Sequence, residues 1–159
     1  MTRSKRVTAI VAGALLASTG AVAASNRVAM SSAVFVEKDI VDPQGRSRIV
    51  LEPPRLVAPG DRLVFLLRYR NTGTAPASDF IVTNPLPETV SYQGTPDARA
   101  IVSIDGGHNW GTLARLRVRE RDGSLRAARP EDVTHVRWTL KQAIPAGSEG
   151  RLVFRGVVK

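Results

Sequence analysis

Asp105, His108 and Trp110 fall inside one short stretch, Ser103–Gly111 (SIDGGHNWG), of a chain with two histidines and two tryptophans. A carboxylate and an imidazole three positions apart are residue types that hold a cation or exchange a proton with a substrate. No third ligand lies near them in the sequence, which leaves a poor set for zinc; the metal reading reduces to a weak Ca²⁺ contact at Asp105. The same residues suit a turn better. An aspartate carboxylate accepts hydrogen bonds from amides ahead of it, and Gly106 and Gly107 permit the positive φ of a reversing chain. Trp110 then folds its ring onto an apolar sheet face. The stretch is read as a structural turn built on Ser103, Asp105, Gly107 and Trp110, with no metal and no cofactor expected.

Other chemistry finds little footing. The chain has no cysteine, which removes thiol nucleophiles, thiolate zinc sites and iron–sulfur ligation together. No G-x-S-x-G motif is present, and His135 is expected on the polar face of its strand, away from a triad geometry. The acids are scattered through turn sequences (Asp42, Asp61, Asp97, Asp105, Asp122, Asp132), not paired across a cleft. The chain is expected not to be an enzyme; a small hydrolase around Asp105 and His108 is the competing reading.

The most pointed charged feature is Leu113–Arg121 (LARLRVRER). Read as one strand, it places Arg115, Arg117, Arg119 and Arg121 on one face at spacings of roughly 6.6–7 Å, with Leu116 and Val118 opposite. Such a ladder is a candidate anion-binding surface for phosphates of an envelope lipid or an acidic polysaccharide. No aromatic residue is interleaved to stack bases, so no specific nucleic acid is expected. The plainer reading is a solvated outer face that guards an edge.

The elements that must position these residues follow a period of two. Runs with β-branched and aromatic character are Ala33–Ile40, Arg48–Leu51, Arg62–Tyr69, Phe80–Thr83, Thr89–Tyr92, Ala100–Ile104, Leu113–Arg119, His135–Leu140 and Arg151–Val158, separated by Gly, Pro, Asn and Asp turns. Pro85 and Pro87 confine their segment to an edge or corner. Only Arg129–Val133 reads as a helical turn. Half-buried alternation across many short strands predicts an all-β fold, an Ig-like antiparallel β-sandwich.

Ahead of the strands, Arg3, Lys5 and Arg6 precede an apolar stretch, Val7–Ala17, and an A-x-A site at Ala21–Ala23. This is the pattern of a signal peptide over residues 1–23, cleaved after Ala23 or Ala24. The apolar stretch falls short of the ~20 residues of a spanning helix, and no later segment reaches that length, so no transmembrane span is expected once the leader is removed. Residues 24–159 are expected to form a single domain, exported to the periplasm or the cell surface. The chain carries +9, and three of its 23 basic residues lie in the leader, so the remainder carries +6. That balance favours anionic envelope polymers or lipid head groups as neighbours.

Gly60–Tyr92 (GDRLVFLLRYRNTGTAPASDFIVTNPLPETVSY) resembles the bacterial surface-repeat family known as domain of unknown function 11. Gly60-Asp61, Tyr69, Asn71 with Gly73, Ala77–Val82 and Leu86-Pro87 occupy the places of its motif. Asn84 stands where that family usually has aspartate, and one copy is present where the family often has tandem arrays. The resemblance implies an Ig-like, exported, non-enzymatic module. Ser103-x-Asp105-x-Gly107-x-x-Trp110 is in turn similar to the Asp-box, a hairpin turn of exported β proteins that lies away from their active sites; Asn109 replaces its usual threonine. The expected function is a bacterial envelope or surface module with a structural or protein-interaction role. The alternative is a basic module that binds an anionic glycan or lipid head group through the arginine-lined strand.

Overall fold

Period-two patterning produces ten strands in the computed structural model, which describes residues 27–159. The expected leader and its cleavage site lie outside the described residues. The strands are β1 Val28–Val41, β2 Ser47–Glu52, β3 Arg62–Asn71, β4 Phe80–Pro85, β5 Val90–Gly94, β6 Ile101–Ser103, β7 Arg117–Arg119, β8 Leu125–Ala127, β9 His135–Leu140 and β10 Glu149–Val158. One sheet has the order β2-β1-β3-β10-β5, a second β4-β9-β6, and β7-β8 form a separate hairpin. All strand pairs are antiparallel. The expected antiparallel β-sandwich is the observed fold.

With β2 set aside, four strands face three, the layout of an Ig-like sandwich. The chain fills the last three places in its own order. β6 takes an outer place of the smaller sheet, β9 its centre, and β10 the centre of the larger sheet beside β3. β4 is an edge, so the N–H that Pro85 lacks is asked of no neighbouring strand on that side.

The core lies where the inner faces meet. Leu63, Phe65 and Leu67 of β3, Leu152 and Phe154 of β10, and Val136, Trp138 and Leu140 of β9 are all buried. Phe65 and Phe154 are register partners, and their rings stack with centroids 4.4 Å apart at 4°. Trp138 meets Phe154 from the opposite sheet at 6.0 Å. With no disulfide available, this aromatic contact between sheets carries much of the fold's cohesion. The Trp138 Nε1 is buried without a hydrogen-bond partner.

Asn71 is the core's principal polar residue, fully buried at the end of β3. Its Nδ2 donates to the carbonyls of Ala75 and Ile144, each at 2.8 Å, and its Oδ1 accepts from Gly73 N–H at 2.9 Å. One side chain thus closes the β3–β4 turn and ties it to the β9–β10 loop. Nearby, the Tyr69 ring lies across Gly150. A Cβ there would sit 2.2 Å from the tyrosine Oη, so the glycine makes room for the ring.

β1 begins five residues earlier than its β-branched run suggests, because Val28–Val36 pair with Leu63–Asn71 of β3. The other end of β1 passes β3 altogether. Glu37–Val41 pair only with β2, forming an arm that projects from the sandwich. Ionic contacts hold the base of this arm. Glu37 meets Arg155 at 3.0 Å and Arg62 at 3.4 Å, Asp39 meets Arg62 at 2.7 Å, and Lys38 meets Asp61 at 3.5 Å on the other face.

Candidate functional site

The β6–β9 connection carries both sequence-predicted clusters. It opens with the Asp105 turn. The Asp105 Oδ1 accepts from Ser103 Oγ at 2.7 Å, Asn109 N–H at 2.9 Å and His108 N–H at 3.1 Å. Its Oδ2 accepts from Asn109 Nδ2 at 2.7 Å. These donors, led by the Asn109 amide and then the Ser103 hydroxyl, hold the carboxyl well below the usual carboxylate range. Ser103, fully buried, also accepts from Gly107 N–H at 2.9 Å, and Gly106 and Gly107 adopt φ of 74° and 93°. Asn109 donates through both backbone and side chain, so it closes the turn from the far side.

The two histidines do not converge. The His108 Nδ1–H donates to the carbonyl of Asp105 at 2.6 Å, while His135 stands on β9 beside Thr134 Oγ1 at 3.0 Å. Among the described residues, no three His, Asp or Glu side chains gather as a metal set. Both oxygens of Asp105 are already occupied by donors of its own turn.

Trp110 corrects one expectation. Its ring lies on the outer, polar face of β9, not on the apolar face. The Arg137 guanidinium sits 3.6 Å over the ring centroid, His135 meets it edge-on at 6.3 Å, and its Nε1 donates to Gly107 O at 2.8 Å. A cation and an imidazole facing out along β9 offer the indole a better partner than the filled interior does. Arg137 Nε also donates to Thr83 Oγ1 at 3.0 Å, linking β9 to β4.

The arginine ladder does not form. Leu113–Arg115 is a 3₁₀ turn, and only Arg117–Arg119 is strand. Arg115 therefore belongs to the turn, Arg117 and Arg119 to β7, and Arg121 to the β7–β8 turn. Leu113 and Leu116, three apart, pack together against the core, which the 3₁₀ repeat allows and a strand does not. Arg117 donates to the carbonyls of Ala114 and Leu116, each at 2.9 Å, and Arg119 to that of Gly123 at 3.2 Å, so both guanidiniums serve local backbone. The structural arginine of this region is Arg126. It donates to both oxygens of Asp132, at 2.6 and 2.8 Å, and pairs with Glu120.

Two further surfaces stand out. The arm's β2 is an open edge with Ile49 and Leu51 exposed at 59 and 51%, and Val41 at the end of the neighbouring β1 is exposed at 69%. Register puts these three on one face with Glu37 and Asp39. The second surface is the outer face of β1, β3 and β10, where Arg68, Arg70 and Arg151 cluster. Alternation in RLVFLLRYR and RLVFRG marks each arginine as outward-facing; the sequence lacks a signal that β3 and β10 are neighbours.

No family model matches the chain, and neither the curated proteins nor the solved structures yield a significant match.

Proposed function

We propose that the chain is an exported, non-enzymatic module of the bacterial envelope or cell surface that binds another protein along the β2 edge. The observation that carries this reading is the arm. A free strand edge with two exposed aliphatic side chains, Ile49 and Leu51, is a liability that folded proteins usually blunt. Here its base is tied to the sandwich by the Glu37–Arg62 and Glu37–Arg155 contacts. An extended segment of a partner would add a strand to β2, with main-chain hydrogen bonds supplying affinity and Ile49 and Leu51 supplying selectivity.

The basic, apolar leader supports export to the periplasm or the cell surface. The resemblance of Gly60–Tyr92 to domain of unknown function 11 supports a surface role, with Asn71 and Gly73 as its structural signature. The hydrogen-bonded Asp105 turn favours an Asp-box-like role for Ser103, Asp105, Gly107 and Trp110, which holds the β6–β9 connection and does no chemistry.

The test is in-cell cross-linking from a photoreactive residue at position 47, compared between the chain with Ile49 and Leu51 intact and an Ile49→Lys, Leu51→Lys variant probed from the same position. One discrete heteromeric adduct, lost in the variant, is the expected result. An adduct pattern indifferent to these substitutions would remove the β2 edge from the function.

A further inference from the structure

Register places two arginines directly opposite each other. On the outer face of the larger sheet, Ser31 of β1 pairs with Arg68 of β3, which pairs with Arg151 of β10. One row along the same face, Ala29 is followed by Arg70 and then Glu149. Cα atoms of such partners lie about 4.5–5.5 Å apart, and like charges directly opposite destabilise a sheet. Pairs of this kind normally recruit a counter-charge.

Glu149, opposite Arg70, is the one carboxylate on these two rows, and it makes no ion pair with Arg68 or Arg151. The ion pairs of the described residues occupy other arginines, among them Arg62, Arg126 and Arg155. No carboxylate of the described residues comes within 4.0 Å of the guanidiniums of Arg68, Arg70 or Arg151. Unlike Arg117 and Arg119, the three donate no side-chain hydrogen bond to any described residue. They line an open depression of about 650 Å³ together with Ser31 and Glu149. Three cations against the one carboxylate of Glu149 leave the depression doubly positive.

We propose that Arg68, Arg151 and Ser31, with Arg70 one row on, form a binding site for a phosphate monoester. A phosphate group is tetrahedral and carries about −1.5 to −2 charge at neutral pH, which matches the depression. Its oxygens accept from two guanidinium forks at once and from the Ser31 hydroxyl beside Arg68, a combination that lysines reproduce poorly. The group arrives on a soluble phosphorylated compound or on a lipid head group; the recognition chemistry is shared. This site shares the outer face of the larger sheet with Ile49 and Leu51 but lies toward the other end of β1, since Ser31 precedes Glu37 and Asp39, the register partners of Leu51 and Ile49; it stands or falls independently of the β2 edge.

Two probes test it on the exported chain. Inorganic phosphate is titrated while the arginine Nε–Hε resonances are followed, with chloride at equal ionic strength as reference. Separately, sedimentation with phosphatidylcholine vesicles is compared with and without phosphatidic acid. Saturable shifts of Arg68 and Arg151, or vesicle binding that requires phosphatidic acid, support the site, and which of the two occurs identifies the source. Arg68→Gln and Arg151→Gln each weaken binding by roughly tenfold, whereas Arg117→Gln leaves it unchanged. A readout without ligand guards against misfolding: in phosphate-free buffer Arg151→Gln melts at or above the native temperature, because it relieves the opposed charges. Neither probe producing saturable binding, chloride reproducing the shifts, or Arg151→Gln lowering the melting temperature without ligand overturns the proposal.

Discussion

The Arg155 Nε stands 3.0 Å from the Oε1 of Glu37, a residue 118 positions earlier in the chain. The contact crosses from β10, past β3, to the base of the β1–β2 arm, with Arg62 of β3 at 3.4 Å from the other oxygen. Glu37 Oε atoms are thus shared between two guanidiniums from two strands. The arm's direction is set by this junction, since no third strand pairs with residues 37–41.

Glu37→Gln is expected to loosen the arm more than the sandwich. Both arginines are about half exposed and rehydrate when freed, so the loss of global stability is about 1 kcal/mol. Amide exchange at Ile49–Leu51 accelerates while exchange in β3 and β10 is nearly unchanged. Equal acceleration in both places would mean that the junction belongs to the core and not to the arm.

Asn71→Ala removes two donors and one acceptor from a fully buried position. The carbonyls of Ala75 and Ile144 and the Gly73 N–H lose partners, at a cost of about 2–3 kcal/mol by urea denaturation. A loss under about 0.5 kcal/mol would show that water replaces the side chain there.

Asp105 makes the fold acid-sensitive in a defined direction. Its carboxyl is depressed in the folded state, so it contributes stability above its unfolded value of 3.8 and loses it as pH falls below that value. Asp97 and Asp132 are lowered in the same sense by Arg99 and Arg126. Asp105→Asn therefore flattens the decline of melting temperature below pH 3.8 without abolishing it. An unchanged slope would show that the turn stays intact when Asp105 is protonated.

Arg126→Ala and Arg121→Ala separate a structural arginine from a solvated one. Arg126 bridges Glu120 and both oxygens of Asp132 and is expected to destabilise the β7–β8 hairpin when removed; Arg121 is expected to be silent. Limited proteolysis between Arg117 and Arg129 reads the difference. Indistinguishable cleavage of the two variants would contradict it.

Trp138→Phe is expected to be mild, below about 1.5 kcal/mol, because the indole N–H it deletes has no partner. Phe154→Ala, which empties the contact between the sheets, costs about 3–5 kcal/mol. Denaturation curves with these two in reversed order would indicate that Trp138 Nε1 is satisfied by internal water.

The core was readable because alternation speaks directly to burial. His135–Leu140 has the strand limits that its pattern predicts, and Val136, Trp138 and Leu140 face inward as expected. The Asp105 turn was readable because its bonds are local. Arg115–Arg121 failed because alternating arginines mimic a strand, while the Leu113–Leu116 spacing that sets the 3₁₀ turn looks equally natural in one. The Arg68–Arg151 pair was hidden for a different reason. Each arginine's face is local information, but their meeting depends on β10 lying beside β3, which no short stretch encodes.

That placement of β10 has a temporal consequence. As the chain is delivered from its N-terminal end, β3 acquires β1 early but keeps its other flank bare until residues 149–158 arrive. The larger sheet can neither close nor stack the Phe65 ring on Phe154 before then, so its assembly waits for the last strand. Shortening the polypeptide by one strand at this end would cost far more than its length suggests, since the half-made sheet would be left split along its middle.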